Sequence, residues 1–347
     1  MTSERIPHNR PLVTDEDRAA VAAVLMTGQL AQGVEIAGLE RDFNHMMAGG
    51  ASCAVASGTA ALFLALKGLD VGPGHTVAIP TYACSALLNA VYMAGATPRL
   101  VDVRDDNFTI DPAAVERQAP DADTVIAVHC FGATADVESL CRSKRRVIED
   151  CCQSLGGPQG HVGDAAVYSF YATKIITGGH GGLVWSRNNA VVEAVRDYRE
   201  FDCRENYVPR FNFQMTEMQA AMIRSQLRRL DAIRLRRRSI ADAYRDVLPS
   251  DVRVQKGFET DDVLPYRFVI RADDAASRDR YRTQLDGSAV VSIIPVERYE
   301  LLHRYLGENE GDFPVAERLV DETLSLPLFP GLSDKEINSV RAALADI

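Results

Sequence analysis

The sequence predicts an α/β protein: a large part built on a mainly parallel, mixed sheet flanked by helices, and a smaller C-terminal α+β part. Three observations carry this. Short β-rich runs alternate with helical stretches or Gly-rich turns from residue 50 to 190; those runs are continuously apolar; and the texture changes after residue 190. Continuous apolar strands between helices need cover on both faces, which is the arrangement of a helix-flanked parallel sheet.

Taken in order, the strands are expected at Cys53–Ala56, Thr76–Ile79, Arg99–Val103, Thr124–Val128 and Arg146–Glu149. Gly58–Lys67, Ala83–Ala94, Asp111–Gln118 and Asp136–Arg142 read as helices between them, and Ala165–Ser169 and Gly182–Trp185 are strand-like runs flanking Phe170–Gly181. From about Thr216 to Leu248 a long helical zone follows, with Ile223, Leu227 and Leu230 at helical spacing. Its seven arginines between Arg224 and Arg238 read as a solvated helix face, because acids dilute them, rather than as an anion-binding stripe. Beyond it Tyr266–Arg271 and Ala289–Ile294 read as strands, and Pro314–Thr323 and Asp334–Asp346 as helices. The expected boundary falls near residue 235, giving a large domain over 1–235 and a small one over 236–347.

The 347 residues carry 38 Lys+Arg against 48 Asp+Glu, a formal net charge of −10. That balance disfavours bulk binding to nucleic acid or an anionic membrane, so an anionic ligand needs a built pocket. The start, MTSERIPHNR, lacks the apolar segment of a secretory signal, and the longest mostly apolar run, Ala54 to Leu66, is too short to span a bilayer. Seven cysteines, two of them vicinal at Cys151 and Cys152, fit reduced thiols better than a disulfide framework, and no spacing suggests a zinc site. A cytoplasmic protein without a metal is expected.

Ligands of parallel sheets gather at the carboxyl ends of strands, and three segments sit there. Ser57-Gly58-Thr59 opens a helix: free N–H groups and two hydroxyls make either an ordinary N-cap or a phosphate cradle. Asp150 ends an apolar strand, where a carboxylate serves as a metal ligand, a helix cap or the partner of a protonated ring nitrogen. Lys174 follows Ser169, with glycines at 178, 179, 181 and 182 beyond it; it is either a surface residue or an amine nucleophile. Phosphate cradle, acid and lysine together are the set that pyridoxal 5′-phosphate requires.

Several separate motifs then carry a family resemblance over nearly the whole chain. They are Gly28-Gln29-Leu30-Ala31-Gln32-Gly33, Ser57-Gly58-Thr59-Ala60-Ala61-Leu62, Gly95-Ala96-Thr97-Pro98 with Val101-Asp102-Val103, and Ile148-Glu149-Asp150 with Gln153-Ser154-Leu155-Gly156. Ser169-Phe170-Tyr171-Ala172-Thr173-Lys174, the stretch from Phe211 to Ala221, and Phe313 to Pro327 complete the set. In these the chain resembles the DegT/DnrJ/EryC1/StrS sugar aminotransferases, pyridoxal-phosphate enzymes of fold type I.

The resemblance implies Lys174 as the Schiff-base lysine, Asp150 as the partner of the pyridine nitrogen and Gln153 beside the cofactor's phenolic oxygen. It implies Ser57, Gly58, Thr59 and Ser169 around the phosphate, and Asn212 reaching the phosphate from a neighbouring subunit, hence a homodimer with shared active sites. An amino donor, L-glutamate, would aminate the cofactor to pyridoxamine 5′-phosphate, and a keto sugar, nucleotide-linked, would accept the amine. Cys84 stands where many relatives stack an aromatic ring, leaving Tyr82 to lean in instead. His180 stands where the loop often carries an acid, and Tyr171 and His180 are candidate substrate contacts. The Pro-Leu-His stretch common in the family is not evident around Pro295–Arg298. His129 and His161 read as structural. Two rivals are a pyridoxamine-dependent sugar dehydratase, which carries histidine in place of Lys174, and a non-catalytic cofactor-binding regulatory protein.

Overall fold

A computed structural model of the chain describes residues 5–258, 260 and 263–347. Among these, the larger sheet has seven strands: β1 (Ala51–Val55), β2 (Thr76–Pro80), β3 (Thr97–Val101), β4 (Thr124–Val128), β5 (Arg146–Asp150), β6 (Ala165–Ser169) and β7 (Gly182–Ser186). Their order across the sheet is β1-β7-β6-β5-β4-β2-β3. Only β7 runs against its neighbours, so the carboxyl ends of the other six lie along one edge. There Asp150 pairs across from Val128 and Val167, and Gly182, at the start of β7, pairs with both Val55 and Ser169.

Helices α1 (Asp15–Thr27) and α2 (Val34–Met46) precede the sheet. Sequence periodicity passes over α1 for a physical reason: it buries only Asp17 and Val24, so no apolar stripe marks it. Helix α3 (Gly58–Gly68) has every residue from Ala60 to Leu66 buried, packed on β6 and β7 and against α4 (Ala86–Ala94). Burying each of its large apolar side chains contributes about 1.5–3 kcal/mol. That packing holds the start of α3 at the carboxyl edge. Short helices α5 (Pro112–Gln118) and α6 (Val137–Arg142) and the longer α7 (Asn189–Arg199) complete the cover.

The helical zone expected as one piece is two helices, α8 (Glu217–Leu227) and α9 (Leu230–Arg245). The break at Arg228-Arg229 swings Arg229 onto the buried Asp17 at 2.6 Å. In α8, Glu217 accepts the N–H groups of Glu35 and Ile36, each at 2.8 Å, and so caps α2 from a distance. The arginine run is only partly a solvated face. Arg224 pairs with Glu35 and Asp42, and Arg236 with Asp334, whereas Arg237 is buried and donates to the carbonyls of Tyr266 and Leu328.

A second apolar cluster gathers Ile6, Ile240, Ala241 and Tyr244 with α10 (Ala275–Gly287), α13 (Asp334–Ala345) and an antiparallel sheet of β8 (Arg253–Val254), β9 (Phe268–Arg271) and β10 (Thr323–Leu326). Between these lie α11 (Leu302–Leu306) and α12 (Pro314–Glu322); the apolar face of α12 belongs to the first cluster. Two expectations need correction. Ala289–Ile294 is not a strand: Val290 bridges Ile6 and Ile293 bridges Ser325, isolated contacts to two different partners that extend into no ladder. The strand expected from Tyr266 begins at Phe268, because Tyr266 and Arg267 turn toward the edge of the large sheet. No described helix is long and apolar enough to cross a membrane.

Candidate active site

The carboxyl edge opens into a cavity of about 550 Å³. It is lined by Ser57, Gly58 and Thr59 after β1; Tyr82 and Cys84 after β2; Asp150 at the end of β5 with Gln153 beyond it; and Ser169 at the end of β6 with Tyr171, Lys174 and His180 beyond it. Every site residue expected from the sequence thus converges here except Asn212, which is solvent-exposed and outside the cavity of its own chain.

Ser57 is extended and its Oγ accepts the Ala60 N–H at 3.1 Å, starting α3. The first N–H groups of a helix have no intrahelical acceptor, and the macrodipole makes that end positive. A Cβ built on Gly58 would lie 2.8 Å from Ser169 Cβ, so glycine lets the helix start approach the Ser169 hydroxyl closely. A Cβ on Gly182 would sit 2.2 Å from the Ser57 carbonyl oxygen, so only glycine lets β7 pass this turn.

Asp150 is buried, with Oδ1 accepting the Cys152 N–H at 3.0 Å. Gln153 Oε1 accepts the Phe131 N–H at 2.7 Å, which leaves the amide's Nε2 donors as its other end. Phe131 holds a left-handed conformation, φ 54°, unusual for a bulky residue and costing about 1–3 kcal/mol. It is locked on its other side by the Tyr266 N–H donating to its carbonyl at 2.9 Å.

The Lys174 loop is pinned from behind. Asn9 Nδ2 donates to the Thr173 carbonyl at 3.1 Å, Gln226 Oε1 accepts the Thr177 N–H at 2.9 Å, and Gly178 N–H donates to the Phe170 carbonyl at 3.0 Å. Lys174 Nζ lies 5.3 Å from the Tyr266 ring centroid. Burial works against its charge, but Tyr266, Cys152 and Asp150 outweigh this and raise the ammonium above its ordinary value. Tyr266 moves the other way: burial opposes its ionisation, yet Lys174 and Arg267 hold the phenol below its usual range.

Tyr82 lines the cavity as part of a packed wall. Its ring is buried, edge-on to Phe108 and Phe131, and its hydroxyl pairs with Thr323 Oγ1 at 3.2 Å. Cys84 is exposed in the cavity, while Tyr171 and His180 stand exposed at its mouth, edge-to-face with centroids 5.3 Å apart.

Directly behind Asp150, Glu149 is buried, and its Oε2 is hydrogen-bonded to His129 Nε2 at 3.0 Å. It also accepts the N–H groups of Gly160, Val162 and Gly163 at 2.7–2.8 Å. Burial would raise its pKa, but these hydrogen bonds bring it down to about 2. His129, Glu149 and Cys151 place potential metal-ligating atoms within 4.8 Å of one another. The His129 and Glu149 atoms are already used, since His129 Nδ1 accepts the Ala135 N–H at 3.1 Å, and the group anchors the loop behind β5. His161 packs edge-on to Trp185.

Tyr266, Arg267, Glu300 and Tyr305 also line the cavity and were not expected there. The available signal was a bulky polar pair, Tyr266-Arg267, placed immediately before the apolar strand.

Fold and site together define an α/β protein in which an amine, an acid and a helix N-terminus face a common cavity at one sheet edge. The chain belongs to the DegT/DnrJ/EryC1/StrS aminotransferase family, whose model matches residues 11–345. It is 31% identical over 327 residues to the UDP-N-acetyl-3-dehydro-alpha-D-glucosamine 3-aminotransferase of Acidithiobacillus ferrooxidans, covering 89% of this chain and 86% of that one. It is 32% identical over 339 residues to the dTDP-3-amino-3,4,6-trideoxy-alpha-D-glucose transaminase of Streptomyces venezuelae, covering 91% and 88%. Among solved structures, that of S. venezuelae DesV in complex with a ketimine intermediate superposes with a TM-score of 0.89 at 29% identity, covering 99% of this chain and 98% of that one.

Proposed function

We propose that this aminotransferase uses pyridoxal 5′-phosphate, cycling through pyridoxamine 5′-phosphate, to move an amino group from L-glutamate to a nucleotide-linked keto sugar. The convergence of Lys174, Asp150 and the Ser57–Thr59 helix start on one cavity carries this reading. Gly58 lets the helix start come up against the Ser169 hydroxyl at the cavity wall, so that the first N–H groups and that hydroxyl can serve one anion. The names of the two sugar-nucleotide relatives support the acceptor class.

When bound, the cofactor supplies an electron-accepting ring and a carbonyl able to exchange amines. Gly58 and Thr59 N–H groups with the Ser57, Thr59 and Ser169 hydroxyls hold its phosphate. Asp150, fixed at Oδ1 by the Cys152 N–H, keeps a proton on the ring nitrogen. Gln153, fixed at Oε1, donates from Nε2 toward the phenolic oxygen. Lys174 would hold the cofactor through Nζ and, once free, its amine would serve as the general acid and base that carries a proton to and from the substrate carbon. Tyr171 and His180 contact substrate at the mouth.

Asn212, exposed and outside its own cavity, completes the phosphate site of a second copy in a homodimer with shared active sites. Mixing Lys174→Ala with Asn212→Ala protein should then regenerate activity that neither has alone.

The direct test is to mix purified holoenzyme with L-glutamate and follow the absorbance of the lysine-bound cofactor. Conversion to the spectrum of the aminated form is expected. No change with any amino donor would favour the regulatory-protein alternative, and Lys174 itself stands against the dehydratase.

A further inference from the structure

We propose that Arg267 is the residue that recognises the carboxylate of the amino donor; this rests on the aminotransferase reading above. Arg267 lines the cavity, and its Nε and Nη1 are buried with no hydrogen-bond partner among the described residues. Buried polar groups are normally paired, and a guanidinium left without an acceptor inside a ligand cavity marks where an anionic oxygen belongs. Other arginines are drawn to protein acceptors: Arg271 pairs with Asp105 and Glu322, Arg298 with Glu317 and Asp321, and Arg237, 5.9 Å from the same Tyr266 ring, donates through Nη1 to the carbonyls of Tyr266 and Leu328 although its Nε is unpaired. Among the described residues Arg267 has no carboxylate partner.

Its position is held by packing instead. The guanidinium carbon lies 5.4 Å from the Phe131 ring centroid and 5.8 Å from that of Tyr266. The same Tyr266 ring lies 5.3 Å from Lys174 Nζ, so the free guanidinium and the reacting amine share one aromatic neighbour. That proximity selects the ligand. In an amino acid the α-carboxylate is bonded to the carbon bearing the amine, so it must sit close to the lysine. In a nucleotide sugar the diphosphate is separated from the reacting carbon by part of the sugar ring. The planar fork of arginine matches a carboxylate through two parallel hydrogen bonds, which lysine cannot supply.

The test compares wild-type, Arg267→Gln and Arg267→Lys holoenzymes in three measurements: half-saturation by L-glutamate of the single-turnover spectral change, and calorimetric affinity for glutarate and for UDP. Loss of a charge-assisted contact predicts that Arg267→Gln raises the glutamate half-saturation and the glutarate Kd by about 10- to 100-fold. Arg267→Lys should fall between, with UDP affinity unchanged. Unchanged glutarate binding in Arg267→Gln, or weakened UDP binding with glutarate unaffected, would overturn the assignment; the second result would give Arg267 to the acceptor's phosphates. Should Arg267→Gln fail to fold or hold cofactor, Arg267→Lys alone decides by the same two affinities. Failure of the underlying reading is distinct, because wild type itself would then show no glutamate-driven spectral change.

Discussion

The Phe131 N–H donates to Gln153 Oε1 at 2.7 Å, and this one bond does two things. It satisfies a backbone group in the strained left-handed conformation of Phe131, and it fixes the amide of Gln153 so that its donors form the other end. Gln153→Glu keeps the acceptor and removes the donors. We expect it to fold with stability within about 1 kcal/mol of wild type while the cofactor's absorbance maximum shifts; Gln153→Ala should lose about 1–3 kcal/mol because the Phe131 N–H is orphaned. Chemical denaturation and absorbance spectra separate the two, and equal stability losses would argue against this division of labour.

Asp150→Asn removes a negative charge while preserving shape. If Asp150 keeps the ring nitrogen protonated, single-turnover amination by L-glutamate should slow by about 10²- to 10³-fold, the scale of losing one preorganised electrostatic group. Cofactor retention should change far less. A variant that reacts at the wild-type rate would remove Asp150 from the chemistry.

Cys84 is an exposed thiol inside the cavity, whereas burial raises the pKa of the Cys130, Cys151 and Cys152 thiols. Iodoacetamide should therefore label Cys84 in the cofactor-free protein, together with the exposed Cys203, and label Cys84 more slowly once cofactor is bound. Peptide mass mapping reads both. Replacing Cys84 with tyrosine should slow cofactor release by up to about 10-fold, since aromatic stacking contributes roughly 0.5–1.5 kcal/mol. Equal labelling with and without cofactor would place Cys84 away from it.

Glu149 links the site to acid stability. Its folded pKa, about 2, lies below the ordinary glutamate value of 4.5, so it contributes stability that is present above pH 4.5 and lost as pH falls toward 2. The full contribution is on the order of 3 kcal/mol. Glu149→Gln should destabilise the protein at pH 7 and flatten its stability loss between those two values in urea titrations. An undiminished acid slope would show that Glu149 is not the controlling group.

Much of this arrangement was legible in the sequence because strand ends in a parallel sheet are chemically distinctive. Asp150 closes an apolar run, Ser57-Gly58-Thr59 begins a helix that is apolar from Ala60 to Leu66, and Lys174 lies in a glycine-rich return. The second wall of the cavity was not legible, because its residues come from connections whose direction depends on tertiary packing. Tyr266 and Arg267 look like the start of β9 until Phe131 and Gly132 are seen closing against them; a Cβ on Gly132 would lie 2.1 Å from the Leu264 carbonyl oxygen. Helix α1 was missed because it buries an aspartate, paired with an arginine far along the chain, where a periodic helix would bury a leucine.

The proposed function stands or falls with Lys174, one of five lysines in the chain, as the residue that holds and serves the cofactor. Borohydride reduction of the holoenzyme followed by peptide mass mapping tests it most directly. The predicted result is a pyridoxyl mass on the peptide containing Lys174 alone, absent from a folded Lys174→Ala variant that also shows no transamination. A label on Lys67, Lys144, Lys256 or Lys335, or normal turnover by Lys174→Ala, would take this role away from Lys174.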